Sequence, residues 1–495
     1  MKEKSSYRNI IKASSIFGGA QIIQIFIDLV RGKFVAILLG TTGVGISSLL
    51  VSSMSLLSMF SGLGLKYSAV REISKSTELN DSKSLSRTLL VYRKWLWFSA
   101  LLGGLLVVIF SSNLSKLSFG NNNYTWSFIW LSIVIVLNTL NDGNIALLQG
   151  TRRIGDMAKA TLIGSFIGLF SALPLYYIYG VNGIVPALIV AAFTSFLLSF
   201  YFARKVVIVK TTVTIFEAIK EGSEMAKLGV TLMIAGFLGT LTVFIIKAYV
   251  SNYGSISDVG LYQAGTSITN QYIGLVFTAM SIDYFPRLSA ISTDNNKVRK
   301  MVNQQAEITI LIATPLLITM ILTAPILIRV LLSSEFIVIN SFIRWISIGM
   351  IFKAAANAVG YISFAKGDRK VFLFLEGIAS NILTVIANII GYTVAGLPGM
   401  AISFVLVYFV YLIVICIVTY KRYSFYYSWE FIRMFVLLLF MAISVFLVLN
   451  LYDNFYGYLI ATIVTCVSFV YGYSELDKRI EIREIIIKFK DKISQ

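Results

Sequence analysis

Apolar runs of about 20 residues, the length needed to cross a bilayer's hydrocarbon core, recur along the whole chain. They fall at 13–39, 43–65, 95–112, 126–148, 160–179, 183–202, 228–250, 260–285, 306–332, 338–364, 372–395, 399–419, 434–452 and 456–473. Lipid offers no hydrogen bonds, so each crossing segment must satisfy its own backbone, which makes each a helix. The expectation is an all-α integral membrane protein of about 14 transmembrane helices. Composition agrees: 57% of residues are hydrophobic and 13% charged, about half the charged share of a soluble domain.

The formal charge of +18 would suit a nucleic-acid binder if the cations formed a surface. Instead they cluster in alternate loops and in the tail, with Lys116 the one cation in the intervening loops. Cations in short loops set topology, and they face the cytoplasm. The sequence therefore points to cytoplasmic N- and C-termini and to no nucleic-acid partner. The first apolar segment carries Asp28, Arg31 and Lys33 and lacks the short apolar core and A-x-A site of a cleaved signal. Loops on both faces are too short for an extramembrane domain.

Histidine is absent, and the two cysteines, Cys416 and Cys466, lie in apolar runs without a spacing motif. No metal site, disulfide framework or cofactor is expected, and any proton coupling falls to carboxylates. The stretch Gly40-Thr-Thr-Gly-Val-Gly45 lacks the Lys-Ser/Thr of a phosphate loop, so no ATPase is expected.

The chain repeats at an offset near 216. Arg31 maps to Lys247, Val44-Gly45 to Val259-Gly260, and Arg71 to Arg287. Gly150-Thr-Arg152 maps to Gly367-Asp-Arg369, and Gly180-Val-Asn-Gly183 to Gly396-Leu-Pro-Gly399. An even number of spans per half gives both halves one orientation, a parallel repeat found in transporters that bind between two lobes. The expected organisation is two parallel six-helix lobes around a central cavity plus a C-terminal helix pair. That places an N-lobe at 1–202, a cytoplasmic linker helix at 203–227, a C-lobe at 228–420, and two appended spans with a basic amphipathic tail at 421–495.

Charged and amide side chains inside spans are costly and mark cavities by default. Gln21, Gln24, Asp28 and Arg31 share one face of span one; Asn138, Asn141 and Asp142 share a face of span four. Gln263 and Asn270 lie on span eight, Lys247 on span seven, Lys353 and Asn357 on span ten, and Glu376 on span eleven. Arg31, Lys247, Lys33 and Lys353 are candidate cavity cations. Asp28, Asp142 and Glu376 are candidate coupling-ion sites. Plainer readings stand beside these: Asp28 and Arg31 as an intrahelical pair, Lys33 as a snorkelling side chain, Asp142 and Glu376 as helix-packing groups. Arg329 and Arg344 read as interfacial, and Asp283 as a partner of Arg287. Trp126, Trp130, Tyr176, Tyr177 and Trp429 read as interfacial belts, and 475–495 as a basic helix on the inner leaflet.

The run KASSIFGGAQIIQIFIDLVRGKFVAILLGTTGVGISSLL, followed by GLGLKYSAVREISKS and ALLQGTRRIGDMAKATLIGSFIGLFSALPLYYIYGVNGIVPAL, resembles the bacterial Wzx-type O-antigen flippases. These belong to the multidrug/oligosaccharidyl-lipid/polysaccharide exporter superfamily. The resemblance implies alternating access and an undecaprenyl-pyrophosphate-linked oligosaccharide flipped from the cytoplasmic to the periplasmic leaflet of the inner membrane. It implies a role in lipopolysaccharide or other polysaccharide biosynthesis; the charge of such a headgroup makes membrane potential, with a proton or sodium gradient to reset the carrier, the expected drive. Candidate partners are membrane lipids, a polysaccharide polymerase, and chain-length or ligase proteins. Fourteen spans exceed the usual Wzx count and are similar to the lipid II flippases, where the extra pair is associated with the lipid tail. Arg31 stands at the part of span one where those relatives place essential cations. Two alternatives remain at this point: a multidrug exporter of the same superfamily, and a membrane enzyme of polysaccharide assembly.

Overall fold

The computed structural model describes residues 2–78, 82–206, 209, 211–452 and 454–481. Among them, regular structure is helical throughout. The chain folds as an all-α membrane protein of about 14 membrane helices. Nine described segments are long and apolar enough to cross a bilayer. Three of these are long enough to cross twice: Gly18–Ser61, Ile154–Ala203 and Arg369–Tyr423. The long helices α7 (Ile215–Tyr253) and α8 (Ile256–Ala290) complete the set.

The double crossings show how the sequence turns without a loop. Helix α1 (Lys2–Ser61) runs through spans one and two with a kink at Gly40. Helices α5 (Ile154–Tyr179) and α6 (Ile184–Ala203) are joined at Gly180 with φ 53°, and α12 (Ser380–Tyr423) kinks at Gly396 with φ 62°. Left-handed backbone favours glycine, and these two glycines are equivalent in the sequence repeat. The likeness continues beside them. A Cβ on Gly183 would lie 2.2 Å from the Leu175 carbonyl oxygen, and one on Gly399 would lie 1.9 Å from that of Gly391. Both hairpins close on a glycine at the same step.

Contacts divide the chain into two compact units, 1–261 with 331–333, and 262–330 with 334–495. In the first unit, α3 (Ser82–Phe119) packs on α4 (Thr125–Gly150), α5 on α6, and α4 on α6. The sequence reading gave span seven to the second lobe; α7 packs against α1, α2 (Leu65–Glu78) and α3, inside the first unit. The start of α8 is fastened there too. Ser257 donates from Oγ to Thr41 Oγ1 at 2.8 Å, and a Cβ on Gly260 would sit 1.9 Å from the Thr41 carbonyl oxygen.

The expected linker helix is the first part of α7 and is continuous with the span that follows. A capping box opens it: the Thr214 hydroxyl accepts from the Glu217 N–H at 3.3 Å, and Glu217 accepts from the Thr214 N–H at 2.9 Å. Thr214→Ala is expected to cost about 1 kcal/mol, read as a lower thermal midpoint. The Thr214 backbone N–H holds the Glu217 carboxyl below its ordinary range, helped by the Thr214 hydroxyl and Arg87. A depressed carboxyl stabilises the fold above its unfolded pKa and loses that contribution as pH falls through the folded value. The penalty of Thr214→Ala should therefore shrink in acid.

The second unit holds α9 (Asn295–Leu331, apart from its last residue), α10 (Asn340–Ala365), α11 (Arg369–Phe372), a π-helical segment (Leu373–Ala379), α12, α13 (Trp429–Leu451) and α14 (Phe455–Ile480). One buried core joins Tyr284, Val302, Val359, Tyr411, Phe431 and Leu476, residues from α8, α9, α10, α12, α13 and α14. The last two spans are thus part of this unit's core, whereas the sequence suggested an appendage. Arg479 Nε meets Glu307 at 2.8 Å and its Nη1 meets Glu475 at 2.6 Å, while the Ser428 hydroxyl donates to Glu307 at 3.2 Å. At the far end of α13, Arg344 donates to the Leu449 carbonyl at 3.3 Å. A cation at a helix C-terminus answers both the orphan carbonyls and the helix dipole. Arg344 is 4% exposed, which corrects the interfacial reading. Tyr176 is likewise buried, whereas Trp126, Trp130, Tyr177 and Trp429 are exposed as an interfacial belt requires. The tail beyond 481 and the Asp283 side chain lie outside the described residues.

Candidate functional site

In the first unit, a cavity of about 650 Å³ is lined by Arg31, Lys66, Asn138, Asn141 and Asp142, with Ser55, Ser58 and Thr240 among the remaining polar groups. Four elements bring its polar groups. Helix α1 contributes twice: Arg31 from its first crossing, the two serines from its second. Helix α4 brings Asn138, Asn141 and Asp142 on one face, because i, i+3 and i+4 stack on a helix. Helix α7 brings Thr240, and α2 brings Lys66 at its second residue.

Lys66 is placed by a tight turn. Leu63 and Gly64 both take positive φ, 48° and 60°, between α1 and α2. Gly64 lies so close to α7 that a Cβ on it would meet the Gly229 carbonyl oxygen at 2.0 Å. The turn therefore presses α2 against α7 and directs Lys66 towards α4, where its ammonium meets Asp142 Oδ1 at 2.7 Å. The side chains of that pair are 40% and 48% exposed, so the ion pair faces the cavity. Chemically, the lining offers two cations, one carboxylate already partnered, and a set of amides and hydroxyls. Such a set binds an anion through charge and neighbouring hydroxyls through hydrogen bonds.

The other residues singled out in the sequence distribute differently. Gln21 and Asp28 are exposed, and Gln24 donates to Asp28 at 3.1 Å. Of the span-one stripe, Arg31 alone lines the cavity. Arg31 acts electrostatically on Asp28, in keeping with the plain intrahelical reading of that pair. Lys33 is half-buried. Lys247 is 7% exposed within α7 and is not among the cavity-lining residues.

In the second unit, Lys353 and Glu376 come together. The Lys353 ammonium sits 5.2 Å from the Tyr408 ring centre and acts electrostatically on Glu376, which accepts a hydrogen bond from the Tyr411 hydroxyl. Glu376 lies in the π-helical segment, and π-bulges concentrate at functional sites. Asn357, also on α10, is half-buried. On α8, Gln263 donates to Ser267 at 2.6 Å, and Asn270 is exposed. Among the described residues no group of three or more His, Cys, Asp or Glu side chains comes together as a metal site.

The sequence matches the Polysaccharide biosynthesis protein family over residues 34–341, more than half of its length. The chain belongs to this family. The match begins just after Arg31 and takes in every other residue named above as lining the cavity. Among curated proteins, the Lipid III flippase of Escherichia coli (strain K12) is 21% identical over 420 residues, covering 82% of this chain and 97% of that one. The Lipid III flippase of Shigella flexneri matches to the same extent. Among solved structures, the Lipid II flippase MurJ in an inward closed conformation superposes with a TM-score of 0.70 at 16% identity, covering 94% of this chain and 99% of its own. An inward-facing multidrug resistance MATE family transporter of the MOP superfamily gives a TM-score of 0.65 at 16% identity, over 81% of this chain and 94% of its own. The polysaccharide biosynthesis family member described here therefore has the fold of these two solved structures.

Sequence reasoning missed Lys66. It stands at the edge of a basic connection between spans two and three, where a lysine reads as a topology determinant. The signal available was its place in GLGLKYSAVRE, two residues after a Gly-Leu-Gly turn.

Proposed function

We propose that this protein is a flippase carrying a polyprenyl-diphosphate-linked oligosaccharide, an O-antigen or similar repeat unit, from the cytoplasmic to the periplasmic leaflet of a bacterial inner membrane. It works as a carrier by alternating access, not as an enzyme, with both termini in the cytoplasm. The observation that carries this reading is the cavity with Arg31 and Lys66 on separate helices and amides and hydroxyls between them. A diphosphate diester bears two negative charges and takes two cations, and in a low-dielectric site charge-assisted contacts are the strong ones. Asn138, Asn141, Ser55 and Ser58 suit sugar hydroxyls. Family membership and the similarity to the Lipid III flippase support a lipid-linked glycan as cargo.

With the inside negative, outward movement of the headgroup is favoured by about 2.3 kcal/mol per charge per 100 mV. A proton or sodium ion acting at Asp28, Asp142 or Glu376 would complete the cycle. Polysaccharide polymerase and chain-length or ligase proteins are the natural recipients of the flipped product.

The test is leaflet-resolved transport in liposomes with a fluorescent polyprenyl-diphosphate oligosaccharide. Wild type should flip it, and Arg31→Ala and Lys66→Ala should each slow flipping about 10- to 100-fold, the cost of one charge-assisted contact. Flipping that survives both changes would discard the site. No flipping of any such lipid, with export of small organic cations instead, would make the protein a drug exporter.

A further inference from the structure

A second cavity in the first unit, of about 540 Å³, lies where α4 begins and α6 leaves its hairpin turn. Tyr124, Trp126 and Trp130 form its aromatic side, Ser127 and Asn182 are among its polar groups, and Ile46 and Leu50 line it from α1. None of its described lining residues is charged. The two cavities share their ridges. Along α1, Ile46 and Leu50 are followed at steps of four by Met54 and Ser58 of the cation-bearing cavity. Along α4, Trp126 and Trp130 are followed at the same step by Val134, Asn138 and Asp142. Residues four apart stack on a helix, so one ridge of each helix runs through both spaces. They are neighbouring chambers of one groove, aromatic at one end and cationic at the other. Sixteen positions of α4 separate Trp126 from Asp142, about 24 Å at the helical rise. The aromatic end is set before a ligand arrives. Tyr124 stacks on Phe119 with ring centres 3.8 Å apart, and its backbone N–H donates to the Ser115 hydroxyl at 3.2 Å. Trp126 and Trp130 are exposed, as a belt requires, and lining this chamber gives them a second use.

Resting on the flippase reading, we propose that the aromatic chamber is a glycan subsite, taking the outer sugars of the oligosaccharide while Arg31 and Lys66 hold its diphosphate. A pyranose ring presents an apolar C–H face and a rim of hydroxyls. Trp126 and Trp130 supply flat apolar surfaces for the face, and Asn182 and Ser127 supply an amide and a hydroxyl for the rim. Binding pockets have this make-up: mostly apolar and aromatic walls, with a few polar groups that fix orientation. The polyprenyl chain leaves the diphosphate on the side opposite the glycan. A diphosphate seated on the two cations therefore sends only one of them along the groove, and the amides and hydroxyls on the way select the sugars. The groove also measures its cargo. A first sugar lies beside the cations and stops short of Trp130, whereas a longer glycan reaches it. The chamber thus favours finished repeat units over stunted ones.

The test measures equilibrium binding of two probes to the purified full-length protein in detergent. One is undecaprenyl diphosphate, and the other is the lipid-linked oligosaccharide extracted from the protein's native cells. Wild type should bind the glycan-bearing probe more tightly. Trp130→Ala should weaken that probe about 3- to 10-fold, the worth of one aromatic contact, and leave undecaprenyl diphosphate unchanged. Asn182→Ala should act in the same direction, Trp130→Phe should keep most of the affinity, and Arg31→Ala should weaken both probes. Equal weakening of both probes by Trp130→Ala overturns the inference, because the chamber would then hold the polyprenyl chain or only shape the fold. No weakening of either probe overturns it too. Trp130 is 57% exposed, so its loss should leave the melting temperature nearly unchanged. If that variant does not fold, Asn182→Ala, at an exposed turn, decides by the same comparison. Wild type that binds both probes equally removes this inference alone. Wild type that binds neither removes the flippase reading with it.

Discussion

Gly64→Ala is expected to destabilise the protein by roughly 2–5 kcal/mol and to slow transport more than tenfold. Two costs add at this position. The backbone has φ 60°, which charges an L side chain about 1–2 kcal/mol. The new methyl carbon would then lie 2.0 Å from the Gly229 carbonyl oxygen and 2.4 Å from its carbon. Backbone cannot rotate away as a side-chain tip can, so α2 must shift from α7, an overpacking cost of about 1–3 kcal/mol. Lys66 is two residues along and moves with α2, so the cavity loses a cation from its correct place. Thermal unfolding in detergent and the liposome assay read the two effects separately. A Gly64→Ala protein with an unaltered melting midpoint and an unaltered rate would refute the account of this turn.

Arg479→Ala is expected to cost about 3–5 kcal/mol, the usual penalty for removing one partner of a buried ion pair. Glu307 and Glu475 are 13% and 12% exposed at the side chain, and Arg479 is 24% exposed. Removing the guanidinium leaves two carboxylates close together, with Lys478 still on Glu475 at 2.8 Å and Glu307 left with the Ser428 hydroxyl. Exchanging both Arg479 and Glu307 for methionine should cost much less than Arg479→Ala, because no charge is then left uncompensated. A single variant as stable as the double one would show that the network contributes little.

The crossings were legible because lipid leaves the backbone a single solution, and runs of apolar residues announce it. The kinked hairpins were half legible. Gly180 and Gly396 stood out as repeat equivalents, while the way Gly183 and Gly399 close on the preceding helix needed coordinates. At the site, Asn138, Asn141 and Asp142 could be read from helical spacing, since one element carries all three. Arg31 was found by the cost of a charge inside a span. Lys66 escaped because its neighbours come from other helices, and a position at a span edge looks ordinary until a turn at Leu63-Gly64 aims it. Lys247 shows the converse: a charge deep in a span that is buried within its own unit and does not line the cavity. The last two spans looked like an addition because the repeat ends before them, yet Phe431 and Leu476 share a core with Val302 and Val359. Internal repetition records ancestry, whereas packing records what the fold now requires.

The clamp between α9 and α14 also sets a timetable. Glu307 and Arg479 are 172 residues apart, and ribosomes add about 5–20 residues per second. Glu307 therefore waits roughly 10–30 seconds for its partner during synthesis, and Arg344 waits over 105 positions for the end of α13. Until then the nascent chain holds both side chains without these partners. A chain cut short after span twelve would leave Glu307 without Arg479 and Arg344 without the end of α13 for good.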